Sequence, residues 1–177
     1  MKFFRLSVLL ILIIIPAIMA QNDSTEARFK IEQYKGKDIL VGQVTPQDIW
    51  ENIPDWKQAY DEFQPDSAVV RKFTAISDDY TIVCVFGTWC PDSKAGVPEF
   101  IKTLEAADNP HLKLELFAVD RQKNDPDDSA AKYDVERVPT FVIFREGKEI
   151  GRMVETPLRS FEEDFLQLIQ EAKMQQN

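Results

Sequence analysis

Residues 88–94 of this 177-residue chain read TWCPDSK and lie between two apolar patterns of different period. The preceding residues 82–86, IVCVF, form a continuous apolar run, which is typical of a buried strand. After the motif, apolar residues recur at the spacing of one helix face, namely Val97, Phe100, Ile101 and Leu104. The sequence therefore predicts a strand that delivers Cys90 to the N-terminus of a helix.

The start of a helix is a place where a thiol is activated. The N–H groups of the first turn have no partner within the helix, and the helix dipole favours a negative charge there. A cysteine so placed is often a thiolate near neutral pH, and the thiolate is the form that attacks a disulfide. Cys90 is therefore the candidate nucleophile, and its place between Trp89 and Pro91 before a helix predicts a partly exposed sulfur. The alternative is an inert, buried cysteine.

Two stretches of the sequence resemble the thioredoxin family. The first is the strand that leads to Trp89 and Cys90, together with Lys94 and Pro98 in the helix that follows. The second is residues 138–148, VPTFVIFREGK, which are similar to the thioredoxin stretch whose cis-proline faces the active cysteine. The two matches lie at the separation that the family has.

The resemblance covers residues 81–169, roughly half of the chain. It implies an α/β thioredoxin fold, in which helices flank a central mixed sheet. It also implies that the bond before Pro139 is cis, an uncommon arrangement that is usually kept for a shaped surface. The backbone of Val138 would then pair with an extended substrate by strand addition. Trp89 would flank the sulfur as an apolar platform.

The motif differs from that of thioredoxins at one decisive position. Thioredoxins carry a second, resolving cysteine three residues after the first, whereas this chain has Ser93, and the motif reads Cys90-Pro91-Asp92-Ser93. A site with one thiol cannot perform ordinary dithiol chemistry by itself. Ser93 could hydrogen-bond to the Cys90 thiolate, or it could simply belong to the first turn of the helix.

Asp92 has two opposite effects at this site. A carboxylate stabilises the start of a helix, but the same charge beside Cys90 opposes the thiolate. Lys94 and the helix dipole favour the thiolate. The sequence leaves the balance between these effects open.

Two more family positions are occupied by unusual residues. Cys84 aligns with a buried acid of thioredoxins, and Leu116 aligns with the lysine that often accompanies that acid. The acid, its lysine and the resolving thiol are therefore absent together. Glu155 stands where thioredoxins have a glycine of the docking surface, which argues for different partners. Cys84 could be a small core residue, as free cysteines commonly are, or a second redox thiol that pairs with Cys90.

The composition indicates a globular protein that does not bind nucleic acid. The chain is 44% hydrophobic and 29% charged, with a net charge of −9. Nucleic-acid binding needs basic patches, which an acidic chain does not favour. The two cysteines make no disulfide framework. His111 is the only histidine and has no neighbouring cysteine or acid cluster, so no metal site and no cofactor are predicted.

Residues 1–20 have the pattern of a secretory signal peptide. Lys2 and Arg5 form a positive region, residues 6–15 form an apolar region, and Ala20 offers a small residue before a cleavage point. The alternative is an uncleaved anchor, but the apolar region is short for a membrane span. We therefore expect cleavage after Ala20, no membrane contact afterwards, and a periplasmic or secreted protein.

The rest of the chain is predicted to form two parts, an N-terminal extension over residues 21–64 and a thioredoxin-like domain over residues 65–177. The extension should contain two short strands and several short helical pieces. Its aromatic residues could line a ligand groove or pack the extension onto the domain; they are Trp50, Trp56, Tyr60 and Phe63. In the domain, polar residues 121–128 could form a lip that faces the substrate or a solvated insertion.

These observations support functions of two classes. The first is a thiol–disulfide exchange protein, similar to an oxidoreductase or isomerase, in which Cys90 forms mixed disulfides with protein or low-molecular-weight disulfides and thiols. The second is a non-catalytic binding module with the thioredoxin fold, in which Cys90 is incidental. A Cys84–Cys90 redox couple is a third possibility.

Overall fold

The computed structural model describes residues 28–174. The expected signal peptide, residues 1–20, lies outside the described residues. Within them, six strands and six helices follow one another along the chain: β1 (Phe29–Tyr34), β2 (Lys37–Val44), α1 (Pro46–Asn52), α2 (Pro54–Glu62), α3 (Ser67–Thr74), β3 (Tyr80–Phe86), α4 (Pro91–Ala107), β4 (Leu112–Ala118), α5 (Ser129–Lys132), β5 (Thr140–Arg145), β6 (Lys148–Val154) and α6 (Phe161–Met174).

The strands form one mixed sheet in the order β1-β2-β4-β3-β5-β6. Only β3 and β4 run parallel among the paired strands, and β5 and β6 form an antiparallel hairpin. Nearly continuous burial explains why β3 lies inside the sheet, since all of its residues but Thr81 are buried. The prediction of a central mixed sheet flanked by helices, the thioredoxin fold, is confirmed.

The two faces of the sheet carry different clusters of side chains. From β3, Ile82, Cys84 and Phe86 enter the larger cluster, which includes side chains of α1, α2, α3, α4 and α6. Val83 and Val85 point the other way, because successive side chains of a strand alternate between the faces. They enter a smaller cluster that also contains Cys90, Val119, Ala130, Val135 and Val138. We call these the helix-side cluster and the site-side cluster.

The N-terminal segment is part of the sheet. Strand β2 pairs antiparallel with β4 over Gly42 to Val44, and β1 forms the outer edge. Gly42 has a φ of +128°, and a Cβ at this position would lie 2.4 Å from the Arg28 carbonyl oxygen, so the close approach of β1 requires glycine. Helices α1 and α2 then pack on the sheet through Ile49 and Trp56. The aromatic pairs Trp50–Tyr60 and Trp56–Phe86 belong to this packing.

Helix boundaries follow local capping signals. At α1 the Thr45 hydroxyl accepts from the Asp48 N–H at 3.2 Å and the Asp48 carboxylate accepts from the Thr45 N–H at 2.7 Å, a complete capping box. Helix α4 begins at Pro91, because Cys90 is the N-cap and proline suits the first helical position. In the described part of the chain, none of the helices is long and apolar enough to span a membrane.

Candidate functional site

Cys90 lies where the central strand ends and α4 begins. Its backbone N–H donates to the Gly87 carbonyl at 2.9 Å, and its own carbonyl accepts the first bond of the helix, from the Lys94 N–H at 3.0 Å. The extended backbone of Cys90, with φ −92° and ψ 125°, is that of an N-cap residue. The strand-to-helix placement that the sequence predicts is therefore present.

The sulfur of Cys90 is covered. Cys90 is only 8% exposed, and its Sγ donates a hydrogen bond to the Val138 carbonyl oxygen at 3.3 Å. The expectation of a partly exposed sulfur was wrong, because Val138 and the Trp89 ring both pack in the site-side cluster with Cys90. A substrate must displace this cover before it meets the thiol.

The segment opposite Cys90 is braced on both sides. The Val138–Pro139 peptide bond is cis, and Val138 is buried. The Pro139 carbonyl accepts from the Glu155 N–H at 2.8 Å, and the Arg137 guanidinium pairs with the Glu155 carboxylate at 3.0 Å. Glu155, which directly follows β6, thus ties the end of this strand to the segment that faces the thiol. The Val138 carbonyl, expected to be open to a substrate, is occupied by the Cys90 thiol.

Trp89 is fixed in place by three contacts. Its indole Nε1 donates to the Val119 carbonyl at 2.9 Å. The ring lies directly over Gly87, where a Cβ would come within 2.4 Å of it. The Arg121 guanidinium carbon also lies over the ring, 4.4 Å from its centre. The indole is therefore a fixed wall next to Cys90, as the platform role requires.

Ser93 is buried and points toward the strand. It is 0% exposed, and its hydroxyl oxygen accepts a hydrogen bond from the Gly87 backbone N–H at 3.3 Å. The bond that Ser93 could donate to a Cys90 thiolate stays a prediction, since accepting from Gly87 leaves the hydroxyl proton available. Ser93 shares a helical face with Val97 and Phe100, which belong to the helix-side cluster. Where a resolving thiol would lie, the chain therefore has a hydroxyl engaged with the turn before the motif.

Asp92 and Lys94 flank the site without pairing with each other. Asp92 is exposed in the first turn of α4. The Lys94 ammonium instead lies 3.6 Å from the Asp55 carboxylate at the start of α2. Lys94 is thus drawn toward the N-terminal segment.

Cys84 and Cys90 are both free thiols on opposite faces of the sheet. Cys84 is fully buried in the helix-side cluster, opposite Leu116 of β4 and Phe141 of β5. Cys90 belongs to the site-side cluster. Burial raises the pKa of the Cys84 thiol well above its ordinary value. These positions disfavour a Cys84–Cys90 couple and match the reading of Cys84 as a small core residue.

The sequence reasoning missed the residues that surround the motif from the N-terminal segment and from the loop after β4. The Thr88 hydroxyl accepts from the Leu40 N–H at 3.1 Å, which joins β2 to the motif. Arg121 stacks on Trp89 and also lies 4.9 Å from the Tyr34 ring centre. The loop over residues 121–128 therefore contacts the site through its first residue. An isolated arginine in a polar loop gives no sequence signal of such stacking.

The described residues hold no group of three or more histidine, cysteine or acidic side chains arranged to bind a metal ion. His111 lies far from the motif in sequence and pairs with Asp79 at 2.7 Å.

A strand-turn-helix that presents a cysteine to a cis-proline segment defines a thioredoxin-type site. The sequence profile of the thioredoxin family matches residues 61–170, which is more than half of the chain. The chain therefore belongs to the thioredoxin family. Members of this family act on protein thiols and disulfides.

Several known proteins are similar to part of the chain. It is 35% identical over 81 residues to a thioredoxin of Echinococcus granulosus, and the aligned region covers 45% of this chain and 70% of that protein. It is 32% identical over 76 residues to a thioredoxin-like protein of Fusarium culmorum, covering 42% of this chain and 60% of the relative. Thioredoxin-2 of Pyricularia oryzae is 29% identical over 79 residues, and the match covers 44% of this chain and 42% of that protein. The match thus spans less than two thirds of the two fungal proteins.

Solved structures of the same fold are more distant. Fasciola hepatica thioredoxin is 24% identical with a TM-score of 0.40, and the match covers 59% of this chain and 88% of that one. A protein of unknown function from Pseudomonas aeruginosa is 17% identical with a TM-score of 0.45, and the match covers 73% of this chain and 76% of that one.

Proposed function

We propose that this protein is an extracytoplasmic thiol–disulfide exchange protein that acts through the single nucleophilic thiol of Cys90. The observation that carries the proposal is the position of this sulfur, at the first turn of α4 and 3.3 Å from the Val138 carbonyl oxygen. The helix start favours the thiolate. An extended substrate whose N–H takes over the Val138 carbonyl would release the sulfur and hold its own disulfide beside it.

The exchange has two balanced steps. In the first, the Cys90 thiolate attacks one sulfur of a substrate disulfide, a Cys90–substrate disulfide forms, and the second substrate sulfur leaves as a thiolate. In the second, another thiolate attacks the substrate sulfur of this mixed disulfide and Cys90 leaves as the thiolate. The attacking group is a thiol of the substrate or a low-molecular-weight thiol. No net oxidation of the protein occurs, which suits isomerisation and accessory reduction.

The absence of a resolving thiol determines the lifetime of the intermediate. The Ser93 hydroxyl is not a nucleophile toward sulfur under these conditions, and it is engaged with the Gly87 N–H. Cys84 belongs to the opposite face of the sheet. Mixed disulfides of Cys90 should therefore persist until an external thiol arrives.

The extracytoplasmic location rests on the pattern of residues 1–20, an n-region, an apolar region and a small residue before the cleavage point. An oxidising compartment supplies the disulfides that Cys90 would attack. The measurement is the intact mass of the exported protein. A mature chain that begins at Gln21 is expected, and a chain that retains Met1 would contradict the proposal.

A binding module is the second candidate, and the cover over Cys90 favours it. A sulfur that is 8% exposed and bonded to a carbonyl could be a structural contact of a surface that binds partners without reacting. Alkylation of Cys90 separates the two functions. Exchange would be abolished, whereas binding of an unreactive partner would persist.

The test is a non-reducing gel of cells quenched with an alkylating agent. Wild-type protein should form adducts that disappear on reduction, Cys90→Ala should form none, and Cys84→Ala should form the same adducts as the wild type. Adducts that survive in Cys90→Ala, or a wild type without any, would rule out the exchange function.

A further inference from the structure

A groove of about 350 Å³ lies beside Cys90, between the β1–β2 hairpin and the first turn of α4. Its walls are largely apolar and are formed by side chains that include Tyr34, Ile39, Ile53, Trp56, Trp89 and Pro91. Cys90 itself lies on the wall. The volume falls within the range of sites that bind a small group, and a ligand in this groove would lie beside Cys90.

The groove is built from parts that are joined to one another. The Thr88 hydroxyl accepts from the Leu40 N–H at 3.1 Å, which attaches β2 to the motif. The Arg121 guanidinium lies between two aromatic rings, 4.9 Å from the centre of Tyr34 and 4.4 Å from the centre of Trp89. Such cation–π contacts favour one arrangement of the two rings. The wall that contains Tyr34 and the wall that contains Trp89 are therefore held at a fixed distance from each other.

The groove is lined by more lysines than acids, three lysines against Asp38 and Asp55, in an acidic protein. The whole chain carries a net charge of −9, yet Lys35, Lys37 and Lys94 line the groove. Lys94 pairs with Asp55 at 3.6 Å. Within residues 28–174, neither Lys35 nor Lys37 forms an ion pair. The Asp38 carboxylate, also on the rim, accepts a hydrogen bond from the Gln33 amide.

We propose that this groove binds the segment of a substrate protein next to its reacting cysteine, and that it selects an apolar side chain followed by acidic residues. The apolar side chain would bury against Tyr34 and Trp89, and the carboxylates would pair with Lys35 and Lys37. The inference rests on the proposed exchange function of Cys90 and adds the class of substrate. It assigns a binding role to the N-terminal hairpin.

Charge complementarity favours this occupant over a basic one. Opposite charges at a rim steer the encounter and raise the association rate, so acidic segments should reach Cys90 faster. The apolar walls favour a peptide side chain over a small polar thiol, which would leave them exposed to water. A low-molecular-weight acidic thiol is therefore an alternative outcome of the test and not the proposal.

The test uses three blocked peptides whose cysteine carries a neutral 2-pyridyl disulfide. Their sequences are Cys-Phe-Glu-Glu, Cys-Phe-Lys-Lys and Cys-Gly-Glu-Glu. The Cys90 thiolate attacks the peptide sulfur, the mixed disulfide forms, and pyridine-2-thione leaves and is followed by its absorbance. Wild-type protein should react with Cys-Phe-Glu-Glu about three- to tenfold faster than with Cys-Phe-Lys-Lys, the range that two exposed ion pairs support. It should also react faster than with Cys-Gly-Glu-Glu, which lacks the apolar side chain.

A charge-matched pair of variants locates the effect. In Lys35→Glu/Lys37→Glu, the preference for Cys-Phe-Glu-Glu over Cys-Phe-Lys-Lys should disappear or reverse. The control Lys72→Glu/Lys148→Glu changes the net charge equally at exposed lysines elsewhere, and it should keep the preference. The proposal is overturned if both variants change the preference equally, since net charge alone would then explain it. It is also overturned if Cys-Gly-Glu-Glu reacts as fast as Cys-Phe-Glu-Glu.

A binding measurement distinguishes failure of this inference from failure of the exchange function. Calorimetry with Ser-Phe-Glu-Glu and Ser-Phe-Lys-Lys, which cannot react, reports the groove alone. Tighter binding of the acidic peptide that is lost in Lys35→Glu/Lys37→Glu supports the groove, even if Cys90 proves unreactive. Equal binding of the two peptides overturns it, even if Cys90 forms mixed disulfides with both.

Discussion

Cys90 and Val138 are joined across the site by a hydrogen bond from the thiol to the carbonyl oxygen at 3.3 Å. Only the protonated thiol can donate this bond. Formation of the thiolate would place a negative sulfur against a carbonyl oxygen, and the contact would have to open. The same carbonyl is the group to which an extended substrate would hydrogen-bond. Binding of the substrate at the Val138 carbonyl oxygen would therefore also free the Cys90 sulfur.

The two thiols should differ strongly in reactivity. Cys90 lies on the wall of a groove, whereas Cys84 is fully buried and its burial raises the pKa of its thiol. A raised pKa lowers the thiolate fraction and burial blocks access of the reagent, so iodoacetamide should modify Cys90 faster than Cys84. Mass spectrometry of peptides after timed quenching measures both rates. In denaturant the rates should converge, and equal rates in the folded protein would contradict the burial of Cys84.

Arg121 should contribute to stability through its stacking on two rings. Arg121→Gln removes the guanidinium from Tyr34 and Trp89, and we expect a loss of about 1 kcal/mol in the free energy of unfolding, because each exposed cation–π contact is worth about 0.5–1 kcal/mol. Arg121→Lys keeps the charge but lacks the planar group, and it should show a smaller loss. Urea unfolding measures these changes. Arg71→Gln on α3 is the control for charge, and a loss as large there would refute the stacking argument.

Much of the fold was predictable because its elements have strong local signals. The apolar run before Cys90 and the helical spacing of apolar residues after it each predict an element that the structure contains. The β1–β2 hairpin was also predicted as two strands. Its pairing with β4 was not, because strand pairing between distant segments depends on packing that no local pattern encodes.

The chemistry of the site was harder to predict than its location. The position of Cys90 follows from a strand and a helix that are adjacent in sequence. Its low exposure depends on Val138, which lies 48 residues further along the chain. Arg121 and Lys37 likewise reach the site only through the tertiary fold. The spacing of residues in a motif therefore identified the nucleophile, but not the groups that cover and surround it.

Glu99 on α4 should make stability depend on pH. Burial, and secondly the charge of Glu162, raise the pKa of the Glu99 carboxyl above its ordinary value of 4.5. The folded state therefore binds a proton more tightly than the unfolded state, and this contribution to stability falls as pH rises from about that value through the folded pKa. Glu99→Gln should raise the free energy of unfolding at pH 7 by no more than about 1 kcal/mol, since Glu99 is partly exposed.

Urea unfolding of wild type and Glu99→Gln at pH 4 and pH 7 provides the measurement. The difference between them should be smaller at pH 4, where the wild-type carboxyl is protonated. Glu51→Gln on α1, an exposed position, is the control and should show little change at either pH. A Glu99→Gln variant that is less stable than the wild type at pH 7 would refute the assignment.

Ser93 should determine how long the mixed disulfides of Cys90 last. It is fully buried at the third position of α4 and accepts a hydrogen bond from the Gly87 N–H. Ser93→Cys would place a thiol on the same helical turn as Cys90, and attack on the mixed disulfide would become intramolecular. Because an intramolecular reaction gains a large effective concentration, the adduct lifetime should shorten by at least about tenfold, and some reduction of insulin disulfides should appear.

The gain should nevertheless be partial. On the helix-side face of the sheet, the paired residues Cys84 and Leu116 are buried and supply neither an acid nor a lysine. The new thiol at residue 93 would therefore have little help in losing its proton.

Ser93→Ala is the control, because it removes the hydroxyl without adding a thiol, and its adducts should last as long as those of the wild type. The lifetimes are measured by quenching a preformed mixed disulfide at intervals and resolving it on a non-reducing gel. Equal lifetimes in wild type and Ser93→Cys would show that Ser93 does not control release, and release would then depend on access of external thiols to the groove.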